Sequence, residues 1–206
     1  VSRRRAATRS LLRWGVLAGP FYLAVGLAQA LLREGFSFAR HPLSVLANGS
    51  FGWIQTANFV LTGLMVLAAA VGFRRVLGRR AAAWLLGGFG VAMIAGAIFP
   101  ADPVDGFPPG TPRGFPTSIS TTGLLHFVSG ALAFTLLGLS GFAAAWTMHR
   151  RRVASLALLS LFSGLSVFFG FFGGLFLPVG IAGIWFAVVV GWAWLAVLSR
   201  HLERQA

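Results

Sequence analysis

The chain has no cysteine, no lysine and only four acidic residues in 206 positions. Without cysteine there can be no disulfide, no thiolate metal site and no cysteine nucleophile, whichever compartment the loops occupy. Charged residues make up 10% of the sequence and hydrophobic residues 57%. Too few polar groups remain to cover a water-soluble globule, and the mean hydropathy of +0.81 points to lipid as the solvent. A net charge of +13 arises from 17 arginines set against Glu34, Asp102, Asp105 and Glu203. One continuous basic face would suggest nucleic acid. These arginines instead fall into tufts between apolar runs, which argues against nucleic acid and for the anionic head groups of membrane lipids.

What is present is length without charge. A spanning helix needs about 20 mostly apolar residues, because each rises ~1.5 Å through a hydrocarbon layer of ~30 Å. Six segments qualify: Trp14–Leu32, Trp53–Phe73, Ala81–Phe99, Gly123–Met148, Ala154–Phe176 and Ile181–Ser199. None contains Asp, Glu, Lys or Arg. Val1–Arg13 is basic, but the apolar run after it is too long for a signal-peptide core and reads as the first span. The uncharged run from Val153 to Ser199 would reach roughly 70 Å as one helix, so it must fold back. Gly173, Gly174, Pro178 and Gly180 supply the expected break, with a tight turn near Leu177–Gly180.

Charge distribution tests the parity of the spans independently. Alternate connectors carry Arg3, Arg4, Arg5, Arg9 and Arg13, then Arg74, Arg75, Arg79 and Arg80, then Arg150, Arg151 and Arg152, and finally Arg200 and Arg204. The other set carries only Arg33, Arg40 and Arg113. By the positive-inside rule the first set is cytoplasmic. The expected architecture is therefore a single all-α membrane domain over residues 1–206: a bundle of six transmembrane helices in the cell membrane, both termini cytoplasmic. Outer loops cover 33–52 and 100–122, and the second holds six of the nine prolines. It is either a stiff cover over the bundle mouth or a mobile segment. Short inner connectors make spans two and three, and spans four and five, antiparallel neighbours.

With the topology set, polar residues sort by depth. His41, Ser44, Asp102, Asp105 and His126 all come to the outer surface. Two imidazoles and carboxylates can hold a divalent metal, with His41, Asp102 and His126 as ligands and zinc as the candidate ion, or can act as acid and base without metal. The same residues also serve as ordinary turn and helix-start signals, and no HExxH spacing is present. On span two, Gln55, Asn58 and Thr62 recur at helical spacing and form a stripe facing the bundle. Such amides bridge neighbouring helices, or line a ligand pocket below the outer site. Ser160, Ser163 and Ser166, and Gly15 with Gly19, read as packing positions. His149 and His201 would pair with the outer histidines in a two-haem bundle, but they flank arginine tufts outside the spans, so haem is disfavoured. Coupled transport is disfavoured by the lack of ionisable groups at mid-membrane. Gly96–Pro100 and Gly174–Pro178 share a glycine, aromatic and proline ending, either a faint hairpin repeat or the common way of ending spans.

The run RHPLSVLANGSFGWIQTANFVLTGLMVLAAAVGFRR from Arg40 to Arg75, FPADP at Phe99–Pro103 and the glycine–histidine start at Gly123–His126 resemble the bacterial membrane protein family called domain of unknown function 998. The resemblance implies six spans and an outer cluster of His41, Ser44, Asp102 and His126. It implies no reaction. The chain is also faintly similar to membrane hydrolases of the ceramidase and progestin-receptor type, which combine a serine, an aspartate and histidines. Those enzymes draw three histidines from their spans and generally have seven helices, whereas two outer histidines stand here. Three functional expectations follow: an outward-facing site for a lipid or amphiphile, with Gln55, Asn58 and Asp105 among its ligands; a membrane-embedded, metal-dependent hydrolase or transferase using His41, Ser44, Asp102 and His126; or an accessory subunit with a membrane-protein partner or a second copy of itself.

Overall fold

The computed structural model describes residues 3–78, 80–114 and 116–206, without the side chain of Arg80. Arg79 and the Arg80 side chain, both part of the second arginine tuft, lie outside the described residues. The chain forms α1 (Arg3–Leu32), α2 (Gly52–Leu77), α3 (Arg80–Ile98), α4 (Thr121–Arg150), α5 (Ala154–Phe176) and α6 (Gly180–Gln205). Each of these six helices is long and apolar enough to cross a membrane. The protein is an all-α, multi-pass membrane bundle.

Each helix packs on the next in the chain, and α1 packs on α6, so the bundle closes into a ring in sequence order. Short connections force that arrangement at one end of the ring. Closure depends on small residues: a Cβ at Gly15 would collide with the Ser199 side chain, and one at Gly19 would lie 2.6 Å from Trp192 Cβ. The glycine pair of span one thus lets α1 approach α6 closely. On the opposite side, Gly138 and Gly141 of α4 face Gly164 of α5, and Gly170 and Gly174 of α5 face Gly183 of α6.

Polar links sit at the helix crossings. Gln29 Nε2 donates to Gln55 Oε1 at 2.9 Å, and Asn58 Nδ2 donates to the Tyr22 carbonyl at 3.1 Å, joining α2 to α1. Thr62 Oγ1 donates to Asn58 Oδ1 at 3.2 Å. Trp194 Nε1 donates to Ser160 Oγ at 2.9 Å between α6 and α5, and Ser140 Oγ donates to the Ala82 carbonyl at 2.9 Å between α4 and α3. In a low-dielectric interior each such group needs a partner, so these bonds fix the rotation of each helix about its axis.

Both chain ends lie at the arginine-rich end of the ring, where Arg13 Nε bonds Glu203 Oε1 at 2.7 Å. Three exposed tryptophans, Trp14, Trp84 and Trp146, encircle that end. The Arg74 and Arg150 guanidinium groups lie over Trp84 and Trp146 at 5.9 and 5.8 Å. Such a belt marks a membrane–water interface.

Two boundaries differ from the hydropathy reading. α1 starts at Arg3 and α6 runs to Gln205, well past the apolar segments, because arginine is a good helix former and the backbone ladder continues into water. The fold-back lies at Leu177–Val179, while Gly173 and Gly174 remain helical. Their role is close approach: a Cβ at Gly174 would lie 2.7 Å from the Gly180 carbonyl.

Candidate functional site

The end of the ring opposite the arginines is roofed by two loops, 33–51 and 99–120. They are interlocked. Arg33 donates through Nη1 to the Leu46 carbonyl and through Nη2 to the Asn48 carbonyl, both at 2.5 Å, which fastens the first loop across its own base. The same guanidinium lies 4.8 Å from the centre of the Phe107 ring. Phe107, from the second loop, is fully buried against Phe36 and His41 of the first. Phe107 thereby docks the proline-rich loop on the first loop. Arg40 lies 3.6 Å from Asp105 Oδ2, so Arg33 and Arg40 at this end are each engaged within the roof.

His41 is the hinge between the loops. It is fully buried, its Nδ1 accepts from the Ser37 backbone N–H at 2.9 Å, and its Nε2 faces the Asp105 carbonyl at 3.2 Å. Because Nδ1 must accept, Nε2 carries the proton and donates to that carbonyl. Burial pushes the imidazole below its ordinary range. Asp105 has a positive φ of 45°, a conformation short polar side chains tolerate, and Oδ1 accepts from the Gly114 N–H at 3.0 Å. That bond holds its carboxyl below the usual carboxylate range.

Asp102 starts α4. Oδ2 accepts from the Ser120 N–H at 3.0 Å and Oδ1 from the Ser120 hydroxyl at 2.5 Å, while Ser120 Oγ in turn accepts from the Gly123 N–H at 3.0 Å. A carboxylate at this position also meets the positive end of the helix dipole. His126, one turn further on, reaches back to α3: Nδ1 lies 2.7 Å from the Phe99 carbonyl and 3.3 Å from the Gly96 carbonyl. Both neighbours are acceptors, so Nδ1 carries the proton and Nε2 keeps its lone pair, for which no described residue supplies a donor.

Beneath the roof the ring surrounds a partly open cavity of about 610 Å³. Its lining reaches Tyr22, Phe89, Leu137 and Trp192, near the middles of four helices, and ends at Arg40, Ser44, Asp102 and Asp105 in the roof. His126 and Ser129 are polar positions on its α4 wall, and along the same face Gly130 and Ala133 leave room. A Cβ at Gly130 would meet nothing within 4 Å.

The structure thus brings Ser44, Asp102, Asp105 and His126 to one cavity, and His41 into the roof beside it. Gln55 and Asn58 are not among the lining residues; they face α1. Among the described residues no group of three His, Asp or Glu side chains is placed to hold a metal. Of the expected ligand set of His41, Asp102 and His126, His41 as placed has no lone pair to offer a metal, because both its nitrogens already have protein partners. His149 and His201 remain at the arginine-rich end, where Gln205 Nε2 donates to His201 Nε2 at 2.7 Å. The two glycine–proline endings also diverge in role, since the Gly96 carbonyl receives His126 whereas Gly174 packs against α6.

Sequence reasoning passed over Ser120, Phe107 and the wall residue Gly130. Ser120, just before an apolar run, carries a readable N-cap signal. The recurrence of His126, Gly130, Ala133 and Leu137 at helical spacing could have marked one face of α4. Phe107 has no comparable signal in the sequence, because its partners are remote in the chain.

The model of the family described as "Protein of unknown function (DUF998)" matches residues 16–201. The chain belongs to the DUF998 family. That match takes in both roof loops and every residue lining the cavity, so the cavity lies wholly within the DUF998 region, while α1 begins before it and α6 ends beyond it. No curated protein and no solved structure matches the chain.

Proposed function

We propose that this DUF998 protein holds a single-chain membrane amphiphile, its apolar tail in the cavity and an uncharged, hydrogen-donating head group against His126. The supporting observation is the cavity: about 610 Å³, apolar to the middle of the bundle, with its polar lining gathered towards the roof. That volume lies in the range of small-molecule sites, about 300–1,000 Å³. The charge pattern favours a neutral head, since Arg40 is paired with Asp105 and no other cation lines the cavity among the described residues. His126 Nε2 offers an acceptor. By the positive-inside rule the arginine-rich end faces the cytoplasm of a cell membrane and the cavity faces outward.

The test is lipid extraction and native mass spectrometry of detergent-purified protein. We expect a bound single-chain amphiphile enriched over bulk lipid, retained by wild type and lost from Gly130→Leu, which adds bulk at a lining position where a Cβ meets nothing within 4 Å. Equal lipid content in the two proteins, or none enriched in wild type, overturns the reading.

A second reading, a metal-independent hydrolase or transferase acting on the same lipid, is favoured by one feature. His126 is held by Nδ1 with Nε2 free, the orientation of a general base. Turnover of a labelled lipid panel that disappears in His126→Gln would select it over binding alone.

A further inference from the structure

At the other end of the ring, α1 and α6 form a second, smaller concavity. It measures about 220 Å³ and is lined by Arg9, Arg13, Arg200, Glu203 and Arg204. Arg9 and Arg13 are one turn apart on α1, as are Arg200 and Arg204 on α6. Four arginines and one carboxylate therefore line the same concavity.

That carboxylate is fully committed. Glu203 is 5% exposed; its Oε1 accepts from Arg13 Nε at 2.7 Å and its Oε2 from Arg200 Nη1 at 2.5 Å. Arg9 and Arg204 are left without a salt-bridge partner among the described residues. Arg9 Nε is also buried without any hydrogen-bond acceptor. A buried guanidinium N–H lacking an acceptor, inside a cleft of like charge, is unfavourable unless an anion supplies what the protein withholds.

We propose that this cleft binds a phosphate group, with Arg9 and Arg204 as its direct ligands and the Arg13–Glu203–Arg200 chain as the frame that spaces them. Guanidinium forks match phosphate oxygens. Its level in the membrane identifies the source. Arg13 adjoins Trp14, which belongs with Trp84 and Trp146 to the aromatic belt. The cleft therefore stands at the phosphate layer of the adjoining leaflet, and the natural ligand is the head group of an anionic phospholipid. This site is independent of the roofed cavity.

The experiment compares wild type with the double variant Arg9→Gln/Arg204→Gln, which keeps both Glu203 salt bridges and hence the α1–α6 closure. A second double variant, Arg74→Gln/Arg150→Gln, removes the same charge elsewhere on the same end. Binding of phosphatidylglycerol and of inorganic phosphate is followed by native mass spectrometry and by thermal shift in a neutral detergent. Phosphatidylglycerol is expected to bind wild type and the Arg74/Arg150 variant alike, and the Arg9/Arg204 variant at least tenfold more weakly. If inorganic phosphate alone reproduces the Arg9- and Arg204-dependent shift, the phosphate site stands and the lipid source is overturned. Equal binding by all three proteins, or equal loss in both variants, overturns the site in favour of diffuse charge.

Discussion

The carboxylate of Asp102 occupies the space that a side chain at Gly123 would need: a Cβ there would collide with Asp102 Oδ2. Two residues from different elements are thereby matched, one lacking a side chain so that the other can hold Ser120, the N-cap of α4. Gly123→Ala should push Asp102 off Ser120 and uncap α4. The expected loss is about 1–2 kcal/mol, the usual scale of a helix N-cap. Thermal unfolding in detergent measures it, and Asp102→Asn should also lower stability, because one of the two oxygens that accept from Ser120 becomes an N–H donor. If Gly123→Ala is as stable as wild type, the carboxylate does not sit there.

The roof should loosen in acid. His41 titrates below its ordinary 6.5 when buried in the roof, and near 6.5 when the loops undock. The undocked state then binds more protons between those two values, so docking is fully present above about 6.5 and weakens as pH falls towards the lower one. The structural reason is that protonated Nδ1 would meet the Ser37 N–H donor head on. Asp105 titrates below the ordinary carboxylate range, so it produces no change in this window. Hydrogen exchange of the roof amides should rise between pH 7.5 and 5.5 in wild type and be flat with pH, after correction for intrinsic rates, in His41→Gln. An identical rise in both proteins would assign the effect elsewhere.

Phe107 is the plug of the cover. Phe107→Ala removes a fully buried ring together with its contact to Arg33, and truncations of that kind cost about 3–5 kcal/mol in well-packed interiors. Since only the roof depends on it, limited proteolysis within 99–120 should accelerate while the helices remain intact by circular dichroism. Unchanged cleavage would mean the loop is held by other contacts.

Asn58→Leu separates scaffold from site. Asn58 joins α2 to the Tyr22 carbonyl and does not line the cavity, so the variant should lower stability by ~0.5–2 kcal/mol, the scale of an interhelical polar contact. Amphiphile content should not change. A stable protein emptied of lipid would instead place Asn58 in the site.

Much of the architecture is readable from local pattern. The spans follow from uncharged apolar length, and the pairing of connectors follows from the alternation of arginines, because lipid penalises charge and unpaired backbone wherever they occur along the chain. The cluster of Ser44, Asp102, Asp105 and His126 was likewise within reach, since topology alone carries these residues to one end of the bundle. Their division of labour was not. Two histidines at one surface look equivalent in sequence, yet His41 is locked at both nitrogens within the roof while His126 keeps one nitrogen open to the cavity.

By itself, then, the sequence determined the helices, their number and the end of the bundle at which each polar residue emerges; these depend on solvent, and solvent preference is a property of each segment alone. Only the tertiary structure decided that the helices close into a ring around a cavity, that Gln55 and Asn58 turn towards α1, and that Glu203 draws two arginines while Arg9 and Arg204 go without. Those outcomes depend on helix rotation and on close approach at particular glycines, which are set by neighbours distant in the chain.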